Sequence, residues 1–114
     1  MTNPHSKPDH EDLCNLRATQ VLDLLKQKAI SPIDLVDASI KRIEAVDKKI
    51  NALPVRRFKN AREEAKSISF EMEIQNPHSL HGLPIAVKDY NDVAGIPTTF
   101  GSPIFRSNVP ETSD

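Results

Sequence analysis

Lys88 stands directly after a compact apolar run, Leu83-Pro84-Ile85-Ala86-Val87, and directly before Asp89. A lysine acts as a general base only while neutral, and burial is the ordinary way to disfavour its charged form. A short unbroken apolar run bounded by turn signals predicts a strand buried on both faces, which would give the amine a desolvating approach. The plain alternative is a lysine at a strand end that points its charged head into water. Asp89 has two readings, one in which it orients Lys88 and one, the favoured, in which it caps the turn after the run. Thr98, Thr99, Gly101 and Ser102 either line a pocket or build backbone turns, and turn-making is the expected role. His81, immediately before Gly82, is expected to hold a structural hydrogen bond. Ser102 follows Gly101, but Phe100 and Ile104 stand where a nucleophile elbow requires glycine. Cys14 is the one cysteine, so an internal disulfide is excluded, and it reads as an ordinary thiol near a helix start. His5, His10 and His78 form no metal-ligand spacing with one another or with Cys14, so neither a metal nor a cofactor is expected.

Two regimes of sequence carry these residues, and they meet near residue 76. Before it the pattern is helical and free of glycine; after it come all three glycines and five of the nine prolines, which punctuate the chain into short extended pieces and turns. The first helix is predicted over Leu16 to Lys28, with Val21, Leu22, Leu24, Leu25 and Ala29 on one side. Ser31, Pro32 and Asp34 give the second helix an N-cap, a first-turn proline and an acid favoured by the helix dipole. Ile33, Val36, Ile40, Ile43 and Val46 form its apolar stripe, and Asp37 with Lys41 and Glu44 with Lys48 are expected as i,i+4 pairs. Ala52 to Arg57 reads as a short extended segment at an edge, because of Pro54. A third helix is predicted over Asn60 to Ile74, with a thin apolar set of Ala61, Ala65, Ile68 and Met72.

The block Leu80-His81-Gly82-Leu83-Pro84-Ile85-Ala86-Val87-Lys88-Asp89, followed by Asp92-Val93-Ala94-Gly95-Ile96-Pro97-Thr98-Thr99 and Gly101-Ser102, resembles the lysine-bearing block of the amidase signature family. Upstream, Ser31-Pro32, Leu35-Val36, Arg42-Ile43-Glu44 and Asn51-Ala52 are similar to that family's amino-terminal helices. The resemblance runs from about Leu16 to Pro110. It implies an α/β fold, of which this chain would hold the amino-terminal helices plus the first strands of a mixed sheet between helices, incomplete here. Residues 1–12 are expected as a disordered polar leader and 13–114 as the amino-terminal part of a single, truncated amidase domain.

The same resemblance implies a Ser–Ser–Lys mechanism for cleaving carboxamide C–N bonds. Lys88 would be the general base, one serine on a cis peptide bond would relay the proton, and a second serine would attack the carbonyl. Both serines belong to a downstream glycine- and serine-rich stretch that the 114 residues do not contain, so the chain alone is expected to be inactive. The expected partner is a small amide substrate in the full-length family member, with a complementing chain as a further possibility. Three accounts follow: a broken amidase gene product, a half-enzyme completed by another chain, or a non-catalytic interaction module. Within the family, the alternative to a general amidase is the amidase subunit of a transfer-RNA-dependent amidotransferase. A formal net charge of −1, from 15 basic and 16 acidic residues, gives no electrostatic case for nucleic acid or an anionic membrane. The polar first dozen residues and the lack of any run near the roughly 18 apolar residues of a membrane span lead to a cytoplasmic expectation.

Overall fold

The computed structural model describes residues 9–68 and 78–114, and the chain divides into two compact units, Met1–Pro84 and Ile85–Asp114. The first unit is helical. Helix α1 spans His10–Asn15, α2 Ala18–Lys26, α3 Pro32–Ile50 and α4 Phe58–Ser67.

Helix α1 has no counterpart in the pattern read from the sequence. Asp9 caps it, its carboxylate accepting from the His10 amide at 2.7 Å, and Glu11 and Asp12 sit in the first turn where the dipole favours them. The expected first helix therefore begins two residues late, at Ala18, with the Gln20 side chain accepting from the Arg17 amide at 2.9 Å. It ends in a two-bond motif in which Lys28 donates to the Leu25 carbonyl and Ala29 to the Leu24 carbonyl, both at 3.0 Å. Lys28 takes the left-handed conformation there (φ 57°), a position usually given to glycine.

Helix α3 starts as its sequence predicts. Pro32 opens it, and the Asp34 carboxylate accepts from both the amide and the hydroxyl of Ser31 at 2.8 Å. It is buried along two stripes. Leu35 and Ala38 join Leu13, Val21, Leu25 and Ile30 in one core, with Leu83 packed against it; Val36 and Ile40 join Ala65 in a second, flanked by Ile33, Phe58 and Ala61. The expected stripe accounts for the second core only. Asp37 is committed across the helices to Arg62 (Nε to Oδ1, 2.6 Å) rather than along its own helix to Lys41. At the end of α3, Asn51 is left-handed (φ 52°), and buried Asp47 accepts from the Ala52 amide at 2.8 Å and the Arg56 guanidinium at 2.7 Å. Helix α4 closes at Ser67, with Ile68 extended; the rest of the expected third helix, including Met72, lies outside the described residues.

The expected mixed α/β sheet is overturned: no strand forms among the described residues, and the regular structure is helical. Ala52 to Arg57 is a loop pinned by Asp47 and not an edge strand. Leu83 to Val87 is no strand either, and Ile85 is 80% and Val87 49% exposed. A strand needs a neighbour to take its amides and carbonyls, and no described segment pairs with this run in a ladder. Composition and flanking turn signals identify an apolar extended run but carry no information about whether a partner lies beside it.

The second unit is built from turns. Gly95 donates to the Pro110 carbonyl (3.0 Å), Thr98 to the Asn108 carbonyl (2.9 Å) and Asp114 to the Asp92 carbonyl (3.0 Å). The two segments thus run antiparallel, but the bonded residues on the first recur every three positions. A β-ladder recurs every two, so the pairing is regular without being a sheet. One 3₁₀ turn, Pro103–Phe105, is capped by the Ser102 hydroxyl.

Candidate functional site

Lys88 belongs to the second unit and opens its first turn. Its carbonyl accepts from the amides of Tyr90 (2.8 Å) and Asn91 (3.0 Å), which folds the backbone back on itself. The side chain is exposed, and Nζ lies 4.6 Å from the centroid of the Tyr90 ring. The desolvated approach expected from a buried strand is not formed by the described residues.

Asp89 is half-buried and does not turn toward Lys88. Its carboxylate accepts from the Thr99 hydroxyl in a short bond and from the Thr99 amide at 2.7 Å, while its carbonyl accepts from the Phe100 amide at 3.0 Å. The Thr99 hydroxyl, then the Thr99 amide, hold the Asp89 carboxyl below the usual carboxylate range against an opposing desolvation effect. Asp89 is therefore a clamp between the lysine-bearing turn and the turn at Thr99 to Gly101. Phe100 is left-handed (φ 53°), which is costly for a bulky residue. The Asp89 bond and an edge-to-face contact with Phe105 (centroids 5.3 Å apart) hold it there.

The other residues singled out fall into structural places. Thr98 is fully buried, bonded through its backbone to both the backbone and the side chain of Asn108. Ser102 donates its amide to the Thr99 carbonyl and caps the 3₁₀ turn, and Gly101 is left-handed (φ 70°), so these residues make turns. His81 belongs to the first unit, where its amide donates to the Ser79 hydroxyl at 3.2 Å beside left-handed Gly82. Cys14 is exposed on α1, and His10 opens that helix. Among the described residues no three His, Cys, Asp or Glu side chains gather as a metal site; His5 lies outside them. The structure thus brings Lys88, Asp89, Tyr90 and Thr99 together. Turn-making is the role expected of Thr99, but its side-chain bond to Asp89 and the ring of Tyr90 beside Lys88 are not announced by the sequence pattern. The ten-residue separation of Asp89 and Thr99 has no periodic signature, and Tyr90 at i+2 from a lysine is a local signal that attention to strand pattern passes over.

A family model described as Amidase matches residues 34–114, which include this turn and its clamp. The chain belongs to the amidase family. Relatives of this amidase-family chain include an amidase from Pseudomonas putida, 34% identical over 91 residues, covering 80% of this chain and 20% of that protein. The A subunit of a glutamyl-tRNA(Gln) amidotransferase from Carboxydothermus hydrogenoformans is 37% identical over 103 residues, covering 87% and 21%. An acylamidase from Rhodococcus erythropolis is 32% identical over 95 residues, covering 82% and 20%. The chain spans about a fifth of the length of these relatives. Among the described residues, no helix is long and apolar enough to cross a membrane.

Proposed function

We propose that this chain is the lysine-bearing portion of an enzyme that cleaves carboxamide C–N bonds, with Lys88 as its general base. Neutral Nζ accepts a proton through a relay serine as a second serine attacks the amide carbonyl. Collapse to the acyl-enzyme releases the amine with that proton, and water then frees the acid. The observation that carries this reading is that the matched family segment contains a lysine presented on a turn clamped at its next residue. On this reading both serines come from the family's glycine- and serine-rich stretch, so the isolated polypeptide is expected to turn over no amide. Its partner in activity is the remaining sequence of the family enzyme, on the same or another chain.

Among carboxamides we favour the side chain of glutamine, in the amidase component of a transfer-RNA-dependent amidotransferase. Identity to the amidotransferase relative (37%) exceeds that to the amidase (34%) and the acylamidase (32%). The test is a chimera in which this chain replaces the corresponding fifth of the Carboxydothermus protein, assayed within its complex. We expect ammonia release from glutamine, reduced by about 10²-fold or more in Lys88→Met. Undiminished release by Lys88→Met would overturn the assignment of the base. Turnover of simple amides without glutamine would favour the general amidase.

A further inference from the structure

The geometry points to Tyr90 as a positioning residue for Lys88, its ring face holding the lysine head on one side of the turn. The contact places the protonated amine, the resting form that must lose its proton before Lys88 acts as the base proposed above, so the catalytic meaning rests on that reading and the placement itself does not. Nζ lies 4.6 Å from the ring centroid, inside the range in which an ammonium is attracted by the negative face of an aromatic ring. The backbone enforces the approach. Both the Tyr90 and the Asn91 amides donate to the Lys88 carbonyl, and the residue between lysine and tyrosine is tied to Thr99 and Phe100. The carboxylate of the adjoining residue, Asp89, is committed to Thr99. A lysine side chain otherwise samples many rotamers, and an exposed contact of this kind enriches one placement by about two- to five-fold. The attraction comes from the ring and not the hydroxyl, so phenylalanine should serve and leucine should not.

Nuclear magnetic resonance on the isotope-labelled 114-residue chain tests this without any assay of activity. The Lys88 ε-methylene protons, assigned by their loss in Lys88→Met, should be displaced upfield of the other lysines by the ring current. Tyr90→Phe should keep the displacement and Tyr90→Leu should abolish it, with the Thr98 amide resonance reporting that the unit stays folded. Lys88 protons coincident with the other lysines in the unaltered chain would overturn the inference, even if Tyr90→Leu failed to fold. An upfield shift that survives in folded Tyr90→Leu would overturn it too. An active Lys88→Met chimera would remove the catalytic meaning and leave the ring contact standing, so the two failures are distinct.

Discussion

A carboxylate next to a lysine invites the reading of an ion pair, and in this chain the carboxylate is turned away to a threonine ten residues on. Asp89, Asp47 and Glu64 all titrate below the ordinary carboxylate range: Asp89 through Thr99, Asp47 through Arg56, and Glu64 through Arg57. A carboxylate whose folded value is depressed contributes stability that is fully present above its unfolded value, near 4, and lost as pH falls through the folded value. Thermal melts should therefore be level from about pH 7 to 5 and fall in the acid range below about 4. Asp89→Asn should melt lower than the unaltered chain at pH 7, and the gap should narrow as pH falls through the acid range and the native carboxyl takes up its proton. Coincident curves at all pH values would show that the clamp contributes nothing.

Among the elements, α2 carries an unusual terminus, with lysine where the chain turns left-handed. Glycine takes this conformation without steric cost, so Lys28→Gly is expected to stabilise the chain by roughly 0.5–1 kcal/mol, after allowing for glycine's larger unfolded-state entropy. Denaturant midpoints would measure it, and a lower midpoint would mean that the Lys28 side chain does more than its exposure suggests. The elements that were legible from sequence are those whose instructions are local. Ser31-Pro32 with Asp34 marks the start of α3, and spacings of three and four mark one of its buried stripes. The second stripe, through Leu35 and Ala38, depends on α1, whose brevity leaves it below the length at which periodicity speaks. Leu83 to Val87 failed as a strand for the complementary reason: pairing is a relation between segments, and an apolar run does not name its partner. At the candidate site, Lys88 is singled out by its flanking block, while Thr99 and Phe100 come to Asp89 only through the turn that returns them.

For the whole molecule, the apolar surface is unevenly placed. Helices α1 to α4 enclose two cores, whereas Ile85–Asp114 leaves Ile85, Phe100, Ile104, Phe105 and Val109 exposed, Ile104 by 85%. Exposed apolar side chains in such numbers favour association. The 114-residue chain should show a mass that rises with concentration in sedimentation, and Ile85→Lys with Ile104→Lys should shift it toward the monomer; a concentration-independent monomer would refute this. The antiparallel bonds of the second unit also imply an order of assembly. They are nested: Thr98 with Asn108 encloses the shortest loop, Gly95 with Pro110 the next, and Asp92 with Asp114 the longest. Each inner closure shortens the entropy-costly search left to the pair outside it, so the unit should zip outward from Thr98. Amide exchange would then run in the opposite sense, fastest at Asp114, slower at Gly95 and slowest at Thr98, as a fastening that opens from its free edge.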